Sequence, residues 1–270
     1  MQMITLNNGL KMPQLGLGVW QVDNGQEAID AIHWAVDAGY RHIDTAKVYK
    51  NEEAVGQALS TASVPRDQVW LTTKIWNDDI RAGRTTAALE ESLQRLKTDY
   101  VDLMLLHWPV NGYEAAWKEL EQALVDGKVR AIGLSNFMPE HMADILEQGE
   151  ILPAVNQIEY HPYLVQADTI SECDAHDIAI TAWSPLMQGK FKEEPLFAEI
   201  AANYGKSPAQ IILRWCLQND IIVIPKSSNQ SRIKENGNIF DFEISEEHMV
   251  AIDELERGHR FGPDPYNFDF

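Results

Sequence analysis

Cysteine is almost missing from this sequence: 270 residues hold two, Cys173 and Cys216, both inside helix-like segments. Neither a disulfide framework nor metal-ligand spacing can be built from them, so two buried thiols in a reducing, cytoplasmic setting are expected. Positive charge is the second shortage. Lys and Arg number 22 against 41 Asp and Glu, a formal charge of −19. Such a chain repels polyanions and anionic lipid surfaces, so neither nucleic acid nor a membrane is expected as a partner. Any anionic ligand must find a local basic pocket. No apolar run reaches membrane-span length, and MQMITLNNGLKMPQ lacks a signal pattern. The eight histidines show no H-x-x-x-H or comparable spacing, so no metal is expected. The dinucleotide fingerprint is incomplete too: GLGVWQ supplies Gly16 and Gly18 but no third glycine, and it does not open a helix. A phosphate loop and a G-x-S-x-G elbow are equally missing.

What is present is a regular beat. Short β-branched apolar runs (PQLGLG, YRHIDTA, QVWLTTKI, VDLMLLH, VRAIGLSN, AVNQIEY, IAITAWS, DIIVIPKS) alternate with helical periodicity, as in EAIDAIHWAVDAG and SPAQIILRWCLQN. Gly39, Gly127 and Gly149 follow helices as C-terminal caps; Asn51 and Ser207 read as N-caps, with Pro208 in the first helical position. Eight such strands predict an α/β fold, a (β/α)8 TIM barrel formed by one domain over residues 1–270, with extra helices near the C-terminus. An Asn7-Asn8-Gly9 turn between MITL and LKMP predicts an N-terminal hairpin that closes one end. A monomer is expected.

Barrel enzymes keep their chemistry at the C-terminal strand ends. Those ends carry Asp44, Lys74, His107, Ser135-Asn136, Gln157, Trp183-Ser184 and Lys226-Ser227, with Tyr49 just past Asp44. Tyrosine is a weak acid, with a pKa of about 10. A neighbouring ammonium lowers that value, a buried aspartate keeps the ammonium charged, and a neutral histidine can hold a carbonyl oxygen. Together these groups suit protonation of a developing alkoxide. Singly, each also has a structural reading: a satisfied acceptor, an ion pair, a barrel-end histidine, a packing aromatic. Glu52 and Glu53 read as first-turn helix acids.

On these motifs the chain resembles the aldo-keto reductases from hairpin to tail. GYRHIDTAKVYKNEEAVGQAL, LTTKIW, DLMLLHWP, IGLSNF, NQIEYHP and IPKSSNQSRIKEN are similar to the family's signatures, and short connections with the ending GHRFGPDP most resemble its bacterial 2,5-diketo-D-gluconate reductase branch. The resemblance implies NADPH-dependent reduction of small aldehydes, ketones or dicarbonyls, 2,5-diketo-D-gluconate and methylglyoxal among them. Tyr49 would donate the proton, Lys74 and Asp44 would tune it, and His107 would orient the carbonyl. Ser135, Asn136 and Gln157 would hold the carboxamide, Trp183 would stack on the ring, and Ser184, Leu186 and Gln188 would follow the pyrophosphate. Lys226, Ser227 and Arg232 gather donors suited to a 2′-phosphate, with Glu235 and Asn236 at the adenine. Trp20, Trp76 and Trp108 would wall the substrate pocket, and Gly258 to Phe270 would form its rim. Lys47 stands apart from the family pattern, either pointing outward or favouring acidic substrates. Two alternatives stay open: a nicotinamide-sensing subunit with little turnover, and a Schiff-base lyase using Lys74.

Overall fold

The computed structural model describes residues 2–268 and 270. Eight parallel strands follow chain order: β3 (Leu17–Gly18), β4 (His42–Asp44), β5 (Trp70–Ile75), β6 (Val101–Leu106), β7 (Val129–Ser135), β8 (Val155–Glu159), β9 (Ala179–Trp183) and β10 (Ile222–Val223). The ring closes between its ends through parallel bridges Leu15–Val223 and Gly18–Lys226, helped by Gly16 N–H donating to Val223 O at 2.8 Å. Helices alternate with the strands, including Gln26–Asp37, Glu52–Ser60, Thr85–Leu96, Tyr113–Val125 and Pro208–Gln218. Pro195–Tyr204 and Glu246–Asp253 are the expected extra helices.

Side-chain alternation sorts the strands into two apolar sets. Ile43, Leu71, Met104, Leu106, Ile132, Leu134 and Ile158 pack beneath the helices. Leu103, Leu105, Ala131, Val155 and Ile222 fill the barrel with Leu6 and Met12 of the hairpin, β1 (Met3–Thr5) and β2 (Lys11–Pro13). The hairpin therefore plugs the N-terminal end and leaves the opposite mouth for polar groups.

Ser207 and Gln210 form a reciprocal cap, with Pro208 at the first helical position. Two other expected caps differ. Asn51 stands at the N-cap position but caps nothing: its oxygen accepts from Thr45 Oγ1 (2.8 Å), and its Nδ2 donates to Val19 O (2.9 Å) and Val22 O (3.0 Å), tying the β3 and β4 loops together. Gly149 is extended, not left-handed, at φ −79°. Glycine is needed there because a Cβ would lie 2.8 Å from Trp117 Nε1.

Beneath the mouth sits His42, fully buried, its Nε2 3.1 Å from Thr72 Oγ1. Burial, then the Lys74 ammonium, pull its pKa down to about 3. Unfolded histidine takes a proton near pH 6.5. The unfolded chain thus binds more protons below that pH, so the contribution is complete above pH 6.5 and is lost towards pH 3 by about 1.4 kcal/mol per pH unit. Urea unfolding at pH 7 and pH 5.5 should show a slope that includes this share beside that of His107, and His42→Gln should reduce it by the His42 share. An unchanged slope in the variant would assign it elsewhere.

Candidate active site

The mouth is assembled from strand ends. Asp44 closes β4, and a single 3-10 turn, Lys47–Tyr49, ended by left-handed Lys50 (φ 58°), swings Tyr49 back over it. Lys74, in β5, is fully buried. Its ammonium spends all three protons: on Asp44 Oδ1 at 2.6 Å, Thr45 O at 2.9 Å and Tyr49 Oη at 3.3 Å. Gln157 Nε2 donates to the other Asp44 oxygen at 2.8 Å. The His107 ring stands edge-on to Tyr49 (5.9 Å between centroids) and to Trp76 (5.1 Å).

The electrostatics differ in one respect from the sequence-based expectation. Burial raises the Tyr49 pKa above its ordinary value; Lys74 opposes this and Asp44 adds to it, and burial wins. Tyr49 therefore holds its proton firmly at neutral pH. Lys74 is raised despite burial, because Asp44 and Tyr49 favour its charged form. A charged, triply bonded ammonium is a poor nucleophile, which removes the structural basis of the Schiff-base alternative. His107 is held well below its usual value by burial and by Lys74, so its imidazole is neutral.

Two cavities adjoin at the mouth, and the first opens on this cluster. The first, about 380 Å³, is lined by Asp44, Tyr49, His107, Ser135, Asn136, Gln157 and Trp183, with Trp20, Trp76 and Trp108 as aromatic walls. The second, about 710 Å³, is lined by Leu186, Ser227, Arg232, Glu235 and Asn236. Trp20, Ser184, Gln188 and Lys226 border both. Every residue expected to serve catalysis, cofactor or substrate thus lines one of the two cavities except Lys74, which lies behind Tyr49. The segment between the cavities is strained: Ser184, Met187 and Gln188 have φ of 51°, 49° and 51°. Each such non-glycine residue costs on the order of 1 kcal/mol or more, a pattern found at functional sites.

Lys47 points away from the cavity, to Asp79 Oδ2 (2.6 Å) and Glu91 Oε2 (3.5 Å), which rules out its serving acidic substrates there. Buried Glu52 is structural, accepting from Thr73 Oγ1 and Arg95 Nε. The tail contributes more than a rim. Phe261, Gly262, Pro263 and Phe270 line the first cavity; Phe270 stacks on Trp76 at 5.9 Å, and Arg81 Nη2 donates to its main-chain oxygen at 2.8 Å. Glu159, buried at the end of β8, was not among the residues expected at the site; a carboxylate two positions past Gln157, on the same face of the strand, is its signal in the sequence.

Fold and mouth together define a barrel enzyme. Residues 14–257 match the Aldo/keto reductase family. The chain is 48% identical over 269 residues to the 9,11-endoperoxide prostaglandin H2 reductase of Trypanosoma cruzi, covering 98% of this chain and 95% of that one. It is 47% identical to the glyoxal reductase of Bacillus subtilis, covering 97% and 95%. The aldo-keto reductase of Bombyx mori in complex with NADP superposes with a TM-score of 0.88 at 34% identity, covering 96% and 94%. The chain belongs to the aldo/keto reductase family and is a carbonyl oxidoreductase. Among the described residues no helix is long and apolar enough to cross a membrane, and no His/Cys/Asp/Glu group could hold a metal.

Proposed function

We propose that this protein reduces small, uncharged carbonyl compounds, α-dicarbonyls such as glyoxal and methylglyoxal foremost, with NADPH as reductant. The observation that carries this reading is the Lys74 ammonium bonded at once to Asp44 and to the phenol of Tyr49, beside an aromatic cavity. When bound, NADPH supplies a hydride to the carbonyl carbon. Tyr49 keeps its proton until the carbonyl oxygen gains charge, then releases it to that oxygen. The phenolate left behind faces Lys74, whose own charge is secured by Asp44, and the proton is later replaced from solvent. Neutral His107 donates a hydrogen bond that holds the carbonyl in place.

The second cavity suits the cofactor. Among the described residues neither Lys226 nor Arg232 joins an ion pair, so two exposed cations face a groove in a strongly acidic protein. That donor set fits the 2′-phosphate. Gln157 gives one amide N–H to Asp44, and its oxygen suits a carboxamide N–H. Lys226→Ala should raise the Kd for NADPH about ten- to hundredfold, the worth of one charge-assisted bond, and leave NADH nearly unchanged. Equal weakening of both cofactors would mean that Lys226 does not read the phosphate.

Substrate charge follows from the lining. Lys226, on the cofactor side, is the one cation among the described lining residues of the first cavity. An acidic sugar would find no partner on the aromatic walls. The deciding assay follows NADPH oxidation with glyoxal, methylglyoxal, an aromatic aldehyde and 2,5-diketo-D-gluconate. Preference for the sugar acid would overturn the uncharged-substrate reading. NADPH binding without turnover on any of them would favour a nicotinamide-sensing subunit.

A further inference from the structure

Glu159 has no part in the chemistry above, yet its carboxylate is fully buried at the barrel mouth, two residues beyond Gln157 on the same strand. A carboxylate removed from water must be compensated. Among the described residues no Lys or Arg pairs with it. Its partners are His161 Nε2 at 3.0 Å and two main-chain N–H groups of the tail, Phe261 at 2.7 Å and Gly262 at 3.2 Å. The charge of Glu159 is therefore met largely by a distant loop, which it pins in place.

What the pinned loop touches gives the arrangement its purpose. A Cβ on Gly262 would lie 2.3 Å from Cη2 and 2.9 Å from Cζ3 of Trp183, so only bare backbone fits against that edge of the indole. The opposite end is held as well: Trp183 Nε1 donates to Asn136 Oδ1 at 2.8 Å, and Asn136 Nδ2 donates to His107 O at 3.0 Å. The indole is gripped at both ends, by the tail on one side and by the histidine strand on the other.

We propose that Glu159 is a positioning residue: by holding Phe261–Gly262 on the edge of Trp183, it fixes the indole face offered to the nicotinamide and retains the cofactor. This rests on the NADPH-dependent reading given above. Glu159→Gln keeps the shape and loses the charge; Gly262→Ala keeps the carboxylate and forces the loop off the indole. The NADP+ dissociation rate is read by stopped-flow tryptophan fluorescence, alongside kcat and KM for methylglyoxal.

Both variants should release NADP+ faster, Gly262→Ala by about tenfold, since affinity changes fall mainly on dissociation. The double variant should match the larger single effect, because both act on one contact. Unchanged release in Gly262→Ala would overturn the proposal, as would multiplied effects in the double variant. So would a lower Tm for Glu159→Gln with normal release, which marks a merely structural carboxylate. Should Glu159→Gln fail to fold, Gly262→Ala decides alone. A wild-type protein that binds no NADP+ would instead refute the cofactor reading, before any variant is compared.

Discussion

Tyr49→Phe should bind NADPH as the wild type does, with Kd changed by no more than about twofold, and lose carbonyl reduction by a factor of roughly 10²–10⁴, the usual worth of a positioned proton donor. The substitution deletes one oxygen. The ring keeps its edge contact with His107 (5.9 Å) and its place under the Lys74 ammonium, 4.9 Å from the centroid. Lys74 loses its longest hydrogen bond (3.3 Å) and retains those to Asp44 and Thr45. Little is therefore left to disturb except the proton itself. Turnover of methylglyoxal at the wild-type rate would remove Tyr49 from the mechanism.

Lys74→Met should cost both activity and stability, for separable reasons. Activity falls because the phenolate formed at Tyr49 loses its counter-charge. Stability falls because Asp44, 2% exposed, keeps only Gln157 as a described side-chain partner. An uncompensated buried charge of this kind costs about 3–5 kcal/mol. Adding Asp44→Asn removes that charge. The double variant should regain most of the lost stability in urea unfolding while reduction stays abolished. Recovery of both together, or of neither, would show that the ion pair does not divide its roles in this way.

Much of this was legible in the chain. All eight barrel strands announce themselves because a parallel strand buried on both faces reads as an apolar run, and a polar residue at its end stands out. What the pattern could not convey is how partners are shared. Asn51 has the right identity and position for a cap, but the Thr45 hydroxyl claims its side-chain oxygen while its amide N–H groups go to two carbonyls of the β3 loop. Lys47 lies close to Tyr49 in sequence, and only the three-dimensional neighbourhood reveals Asp79 drawing it outward. For Tyr49 the sign of the pKa shift depends on burial outweighing a nearby ammonium, and residue spacing does not report burial. Glu159 escaped notice because its main partners are peptide N–H groups about a hundred residues away, which have no residue signature.

The short closing strands have a consequence for how the ring behaves as a whole. β3 and β10 are two residues each and meet through isolated bridges, whereas β5 and β6 share four paired positions. The ring thus has a seam, and the seam runs beside the groove: Trp20 borders it from one side, Lys226 and Ser227 from the other. A dinucleotide lying there would act as a clasp across the least-stitched joint of the barrel. Amide exchange at Gly16, Gly18 and Val223 would then report cofactor occupancy through local opening of the joint, slowing when the clasp is shut.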